Sequence, residues 1–194
     1  MTIKFEDCSI FDKKEPFFNN GLNFYITKDR GFLKKEYLYF NNKISYNGKI
    51  YIEKSEINFK DFAQKTYYVN IKESSFFLKN VKFKRIIKPD SEIAKLLDIQ
   101  DKVFDLKFRQ LWHWSYLCSC ARAIKKGKTI IFFPWLDALE CSIQAYRFSK
   151  LYEYSKQHDL IIIIPTDSID RMKKNIKESG KNGVILDFEY NVLE

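Results

Sequence analysis

Hydrophobic and polar positions alternate with a period of two residues in much of the first half of the chain, a pattern typical of β-strands. Together with short apolar runs, this pattern predicts strands at 3–5, 22–26 and 49–53, and a further strand at 66–69. Polar turn residues follow 22–26 and precede 49–53, where Asn47-Gly48 is a strong turn signal. We expect these strands to form an antiparallel sheet.

The second half changes to the three- and four-residue spacing of helices. Ser91 or Asp90 is placed to cap a helix that carries Ile93, Leu96 and Leu97 on one side. A second apolar stripe ends at the basic residues 125–128 and consists of Leu111, Trp114, Leu117, Cys118, Ala121 and Ile124. Both patterns predict helices that bury one face.

A strand–helix–strand unit follows this stripe. Residues 129–133 and 160–164 are continuous apolar runs, as in strands buried on both faces of a parallel sheet, and 138–156 lie between them without Gly or Pro. Asp167 or Ser168 then caps a helix through Ile176, and 183–187 is the last predicted strand. The predicted fold class is α/β: an antiparallel β layer plus a mostly parallel core sheet with flanking helices, in a single domain over residues 1–194.

Composition limits the chemistry. The 194 residues include 34 Lys+Arg and 25 Asp+Glu, a net charge of +9, and the apolar runs are far shorter than the roughly 20 residues of a membrane-spanning helix. The N-terminal residues lack the pattern of a secretory signal, so we expect an intracellular protein whose four cysteines are reduced, partly buried thiols. Cys118-Ser119-Cys120 lacks the usual zinc spacing, and two histidines leave few candidates for a metal site or a catalytic base.

The order of these segments resembles the nucleotide-binding domain of ABC-type ATPases. Residues 3–9 are similar to the opening strand of that family, 21–26 to the strand before its phosphate loop, and 48–52 to its G-x-I-x-I-x-G strand. Residues 67–71 resemble the segment that ends in the Q-loop glutamine. The later matches are 121–124 to the A-R-A-L that closes the signature helix, 130–140 to Walker B and the D-loop, 160–167 to the H-loop strand, and 184–187 to the last strand.

The residues that bind and hydrolyse ATP in that family have no equivalents here. Only 16 residues separate Gly31 from Gly48, whereas a strand, phosphate loop, helix and return need about 30, so the phosphate loop and its helix are predicted to be missing. The degenerate counterparts of the family site are Ile71 at the Q-loop, Trp112 and His113 in the signature, Phe133 and Pro134 in Walker B, and Thr166 or Asp167 at the switch histidine. Shifting Walker B by one residue gives Pro134 and Trp135. The resemblance therefore implies no catalytic residue, no cofactor and no metal.

The resemblance is strongest to the compact ATPases of cell-division and phospholipid-trafficking complexes. It implies a subunit that binds a permease-type membrane partner through a groove around residues 70–90, with or without a second ATPase-like subunit in a homo- or heterodimer. Such a subunit would be cytoplasmic, peripheral on the cytoplasmic face of the inner membrane through its partner, and would bind no specific nucleic acid.

Two other functions remain open from the sequence. An active enzyme, either an ATPase with a rearranged site or an unrelated α/β enzyme, would use Asp137, Glu140 and Asp167, although helix capping explains these carboxylates more simply. A nucleic-acid-binding protein would use the basic clusters at 79–85 and 125–128. For the tryptophans, we expect Trp114 in the core stripe and Trp112 at a subunit contact.

Overall fold

The computed structural model describes residues 1–11, 15–32, 34–35, 37, 47–69, 76–179 and 191–193. These residues form nine strands: β1 (Thr2–Glu6), β2 (Phe17–Asn19), β3 (Gly21–Ile26), β4 (Lys49–Ile52), β5 (Ser55–Ile57), β6 (Thr66–Tyr68), β7 (Ile130–Phe132), β8 (Ile161–Thr166) and β9 (Asn191–Leu193). Ile71 and the predicted strand at 183–187 lie outside the described residues, so these two predictions are not tested.

Four of the strands form an antiparallel sheet in the order β2-β1-β4-β5. The alternation seen in the sequence is present in β1, where Ile3 and Phe5 are buried. β1 pairs with β4 through Ile3 opposite Ile52 and Phe5 opposite Ile50. This sheet confirms the strands predicted at 3–5 and 49–53.

The other five strands form a parallel sheet in the order β6-β7-β8-β3-β9. The assignment of 22–26 and 66–69 to the antiparallel sheet was wrong, because β3 pairs in parallel with β8 and β6 pairs in parallel with β7. Almost every residue of β3 and β6 is buried, as expected for strands covered on both faces. The α/β fold class with two kinds of sheet is confirmed.

The α-helices with complete bounds in the described ranges are α1 (Phe59–Lys65), α2 (Phe76–Lys79), α3 (Glu92–Leu96), α4 (Asp101–Phe104), α5 (Ser115–Lys125), α6 (Ala138–Gln157) and α7 (Ile169–Glu178). Short 3₁₀ helices lie at Phe83–Arg85, Phe108–Gln110 and Trp112–Trp114. Of the alternative caps, Ser91 accepts a hydrogen bond from the amide of Ala94 in α3, and Ser168 accepts one from the amide of Arg171 in α7. None of the helices in the described ranges is long and apolar enough to cross a membrane.

The stripe that begins at Leu111 becomes regular α-helix only at Ser115. The preceding residues form two 3₁₀ turns, and Trp112 has a positive φ of 45°. A side chain in this left-handed region interrupts regular helical hydrogen bonding. The predicted helix is therefore present from Ser115 to Lys125 and not over its first turn.

A short helical stretch also follows β3, where the sequence predicted that the phosphate-loop helix is missing. Phe32, Lys34, Lys35 and Tyr37 are helical, and the amide of Lys35 donates to the carbonyl oxygen of Gly31 at 3.2 Å. Gly31 follows the polar turn residues 27–30 and lies directly before this helical stretch. That the phosphate loop and its helix are missing stays a prediction, because 33, 36 and 38–46 are not among the described residues.

Two apolar cores share the parallel sheet. Successive residues of β7 and β8 point to opposite faces, so Ile131 and Ile162 pack with the helices while Ile130 and Ile161 pack with the antiparallel sheet. Fully burying an Ile or Phe side chain contributes about 1.5–3 kcal/mol. This burial on both faces fixes β3, β7 and β8 and brings their carboxyl ends together at one edge.

Candidate functional site at the carboxyl edge of the parallel sheet

Strands β3, β7 and β8 end side by side, at the edge where α/β proteins usually bind ligands. A cavity of about 390 Å³ lies there, and Arg30, Trp135, Asp137, Asp167 and Arg171 line it. Arg30 follows β3, Trp135 and Asp137 follow β7, and Asp167 and Arg171 follow β8. The three strand ends therefore supply one site.

Trp135 joins the end of β7 to the end of β3. Its indole Nε1–H donates a hydrogen bond of 2.8 Å to the carbonyl oxygen of Thr27. The guanidinium carbon of Arg30 lies 5.0 Å from the centroid of the indole ring, within the range of a cation–π contact. The half-buried indole thus lies against the turn that follows β3 and carries an arginine on its ring.

The turn after β3 is organised by the carboxylate of Asp29. Its Oδ1 accepts the amide of Gly31 at 2.9 Å, and its Oδ2 accepts a hydrogen bond from the ammonium of Lys35. The amide of Asp29 donates to Oγ1 of Thr27 at 3.1 Å. The hydrogen bond from Lys35 and that from Gly31 hold the pKa of Asp29 below its ordinary value, although burial acts in the opposite direction. A side-chain carboxylate in this turn therefore occupies the donors of Gly31 and Lys35.

The two residues that the resemblance assigns to Walker B are apolar in their surroundings as well as in type. Phe133 is fully buried between the rings of Tyr116 and Phe148, each with its centroid 5.7 Å away. Pro134 is half-buried. Neither side chain has an atom that can coordinate a metal or accept a proton.

Thr166 and Asp167, the alternatives that the resemblance assigns to the switch histidine, form hydrogen bonds that hold the strand ends together. The carbonyl oxygen of buried Thr166 accepts the amide of Thr27 at 2.9 Å, and its Oγ1 accepts a hydrogen bond from the thiol of Cys141. Asp167 accepts the amide of Ala138 on Oδ1 at 2.9 Å and the guanidinium of Arg171 on Oδ2 at 2.5 Å. Asp167 thereby connects the starts of α6 and α7.

The three carboxylates of the enzyme hypothesis are brought together only in part. Asp137 and Asp167 line the same cavity, whereas Glu140 accepts a hydrogen bond of 2.7 Å from the hydroxyl of Tyr116. Asp137 caps α6 by accepting the amide of Glu140 at 2.8 Å. Each carboxylate therefore has a structural hydrogen bond, as helix capping predicts. No group of three or more His, Cys, Asp or Glu in the described ranges is placed to hold a metal ion.

Trp112 and His113, which the resemblance assigns to the signature motif, lie in the 3₁₀ turn before α5 and not at the ends of the strands. Trp112 is 81% exposed and His113 is exposed, while Trp114 is half-buried, packs against the helical core and carries the Arg147 guanidinium 4.8 Å from its ring centroid. The expected core position of Trp114 is confirmed. The subunit contact of Trp112 stays a prediction.

The sequence analysis missed the residues that organise the cavity. The sequence analysis predicted a turn at Asp29 and Arg30 but no functional role for either residue. It made no prediction for Arg171. One signal was available, because an aspartate two residues before Gly31 is typical of a side chain that bonds the backbone of its own turn. The contact between Trp135 and Thr27 had no such signal, because 108 residues separate them.

Comparisons with known proteins place this geometry in a known fold. No protein-family model matches the sequence, and no curated protein sequence does. Among solved structures, cbiO1 from Clostridium perfringens, part of the ABC transporter complex cbiONQ, matches with 15% identity, a TM-score of 0.55, and coverage of 89% of this chain and 81% of that one. A putative ABC transporter ATP-binding protein from Pyrococcus furiosus matches with 12% identity, a TM-score of 0.56, and coverage of 87% and 92%.

A third solved structure was determined with nucleotide bound. It is a dimeric ATP-binding cassette in a post-hydrolysis state with ADP and Pi, and it matches with 10% identity, a TM-score of 0.54, and coverage of 88% of this chain and 90% of that one. The chain described here has the fold of the ATP-binding cassettes of ABC transporters. The predicted fold resemblance is confirmed over most of the chain.

Proposed function

We propose that this chain is a catalytically degenerate ATP-binding-cassette-like subunit, formed by one domain over 1–194, that binds a permease-type membrane subunit. The complex is an ABC transport complex of the phospholipid-trafficking kind or a cell-division complex. The subunit neither binds nor hydrolyses ATP and takes no cofactor. It holds the complex structurally or pairs with a second ATPase-like subunit at the cytoplasmic face of the inner membrane.

The observation that carries this proposal is the contact of Trp135 with Thr27 and Arg30 at the carboxyl edge of the sheet. A phosphate loop binds its ligand through backbone amides and a lysine that point at the phosphates. Here Asp29 accepts the amide of Gly31 and the ammonium of Lys35. A carboxylate at this place also repels an anion, because like charges in contact are unfavourable.

The Walker B positions support the same conclusion. Hydrolysis needs a carboxylate that positions magnesium and a second group that orients water. Phe133 and Pro134 supply neither, and the nearby Asp167 already bonds Ala138 and Arg171.

Calorimetric titration with ATP in the presence and absence of magnesium tests the loss of nucleotide binding. We expect no heat of binding up to millimolar ATP and no magnesium-dependent release of phosphate. Micromolar ATP affinity would contradict the proposal and favour the active-enzyme alternative. The variant Asp29→Ala is the most informative comparison, because it frees the Gly31 amide and the Lys35 ammonium from the carboxylate. Any residual affinity for ATP should be higher in this variant than in the unchanged chain.

Capture from solubilised native membranes tests the membrane partner. We expect the immobilised full chain to retain a protein with several membrane spans. The double variant Lys79→Glu/Lys88→Glu lies in the segment proposed to contact the permease and should lose it. The matched variant Lys54→Glu/Lys60→Glu changes charge equally, at exposed positions outside that segment, and should keep it. The proposed partner would be contradicted if both variants retained the membrane protein. It would also be contradicted if the unchanged chain retained no protein with several membrane spans.

A further inference from the structure

Nearly all of the net positive charge of the chain lies in one segment. Residues 76–128 contain 13 Lys+Arg and 5 Asp+Glu, so they carry +8 of the total charge of +9. The other 141 residues contain 21 basic and 20 acidic residues and are close to neutral. A generally lysine-rich composition does not explain this distribution, because such an excess would be spread along the chain.

The folded structure gathers part of this charge into one patch. Lys82 and Lys107 are paired in an antiparallel bridge, and the amide of Phe108 donates to the carbonyl oxygen of Val81 at 3.2 Å, so the two segments lie side by side. The basic patch consists of five residues, Lys82, Lys84, Arg85, Lys107 and Arg109. All are exposed except Lys107, which is half-buried.

One acidic residue, Asp105, forms ion pairs with two lysines of the basic patch. Asp105 accepts hydrogen bonds from Lys84 at 2.7 Å and from Lys82 at 3.3 Å, and these bonds hold its pKa below the ordinary value. Asp105 pairs with two of the five basic residues, and the patch as defined keeps an excess of positive charge over this carboxylate. Because ion pairs on an exposed surface are weak and screened, these lysines can exchange Asp105 for another anion at little cost.

An exposed tryptophan adjoins the patch. Trp112 follows Arg109 by three residues in the next 3₁₀ turn, and 81% of its side-chain surface is exposed. Leaving so much indole in water is unfavourable, because burial of apolar surface contributes about 25 cal/mol per Å². Tryptophan next to basic residues is typical of surfaces that enter the headgroup region of a membrane.

We propose that the basic patch and Trp112 form a binding surface for anionic phospholipid headgroups, so that this protein contacts the membrane directly as well as through a partner. The lysines and arginines bind the headgroup phosphates, and the indole enters the boundary between headgroups and acyl chains. Stable attachment to a membrane needs more than one contribution, and here the basic residues and the inserted indole supply two. This surface does not depend on the proposed permease partner or on the loss of the nucleotide site.

A nucleic acid is the other polyanion that such a patch could meet. Proteins that bind single strands stack successive bases on several aromatic side chains beside the basic groups. Of the exposed Phe and Trp side chains that the structure describes, Trp112 adjoins the patch and Phe17 lies on β2 in the antiparallel sheet. One tryptophan beside five basic residues fits a lipid surface better than a path for bases.

Sedimentation with vesicles tests the proposal on the full chain. We expect binding to vesicles of phosphatidylcholine with phosphatidylglycerol, little binding to phosphatidylcholine alone, and release at high salt. The fourfold variant Lys82→Gln, Lys84→Gln, Lys107→Gln and Arg109→Gln should bind at least about 100-fold more weakly, since each basic residue contributes about five-fold. Unchanged binding of this folded variant, or equal binding of the chain to neutral vesicles, would overturn the proposal.

A matched control and a local probe complete the test. The control replaces four exposed lysines outside the patch, Lys34→Gln, Lys54→Gln, Lys60→Gln and Lys177→Gln, and should bind as the unchanged chain does. Tryptophan fluorescence should shift to shorter wavelength on anionic vesicles, and the shift should disappear in Trp112→Phe. Equal loss in the control, no shift, or preferential binding of a single-stranded oligonucleotide through the patch would each contradict the lipid surface. Protein-free vesicles contain no permease, so failure here leaves the proposed partner unaffected.

Discussion

The indole Nε1 of Trp135 lies 2.8 Å from the carbonyl oxygen of Thr27 and donates a hydrogen bond to it. Trp135 lies three residues after the end of β7, and Thr27 is the first residue after β3. An intramolecular hydrogen bond therefore joins the turns that follow β7 and β3, the strands on either side of β8.

Replacement of Trp135 should destabilise the protein in two steps. Trp135→Phe removes the Nε1–H donor and should lower the free energy of unfolding by about 0.5–1.5 kcal/mol, the net contribution of one hydrogen bond. Trp135→Ala also removes the contact with Arg30 and the ring packing, and should cost about 2–3 kcal/mol. Urea denaturation measures both. Trp112→Phe is the control, because its 81% exposed side chain should change stability by less than about 0.5 kcal/mol. Equal effects at Trp135 and Trp112 would contradict a structural role for the bond.

Loss of the Asp167 side chain should lower the free energy of unfolding more than loss of its ion pair with Arg171 does. Asp167→Ala removes both the bond from the amide of Ala138 and the bond from Arg171, and should cost about 1–2 kcal/mol, as for loss of a helix cap. Arg171→Ala removes only the ion pair, whose arginine is 65% exposed, and should cost less than about 1 kcal/mol. Thermal or urea denaturation of the two variants and the double variant separates the contributions. A larger effect of Arg171→Ala than of Asp167→Ala would contradict this assignment.

Local signals in the sequence predicted local structure well. Alternation located β1 and β4, and the capping residues Ser91 and Ser168 begin helices as their positions indicate. These features depend on a residue and its near neighbours. They can therefore be recognised without knowing which strands pair.

Features that depend on distant pairing were the ones missed or misassigned. β3 has the length and composition of an antiparallel strand, and only its pairing with β8, about 140 residues later, places it in the parallel sheet. The contacts of Trp135 with Thr27 and of Asp167 with Ala138 arise from the same convergence of strand ends. Periodicity carries no information on such contacts, so the sequence could place Asp137 and Asp167 after strand ends but could not predict the bonds that they make.

Buried thiols should make the protein less stable at high pH. Burial raises the pKa of Cys141 to about 12, and burial also raises the pKa of Cys118 far above its ordinary value. In the unfolded chain these thiols ionise near pH 8.5, so above that pH the unfolded state binds fewer protons than the folded state. The stabilisation is complete below that pH and is lost as the pH rises, by up to about 1.4 kcal/mol per pH unit for each thiol.

Urea midpoints between pH 7 and pH 10 measure this dependence. Cys141→Ala and Cys118→Ala should each reduce its slope, because each removes one thiol that titrates only when the chain unfolds. In the native state both thiols should also be protected from a thiol reagent at pH 8, and they should react after addition of urea. A slope that is the same in the unchanged chain and in both variants would contradict the linkage to these two cysteines.

Two glycines in the left-handed region should differ sharply in their tolerance of alanine. Gly48 has φ of 91°, and a Cβ there would lie 2.4 Å from the carbonyl oxygen of Glu6 and 2.7 Å from the backbone nitrogen of Cys8. Gly127 has φ of 70°, and a Cβ there would have no neighbouring atom within 4 Å. Both substitutions incur the strain of a positive φ, about 1–2 kcal/mol, but Gly48→Ala must also displace the backbone that joins β1 to the following turn. We therefore expect Gly127→Ala to fold with a loss of about 1 kcal/mol and Gly48→Ala to lose more than about 3 kcal/mol, as measured by urea denaturation. Equal losses would show that the close approach of Gly48 to β1 does not determine the stability of the antiparallel sheet.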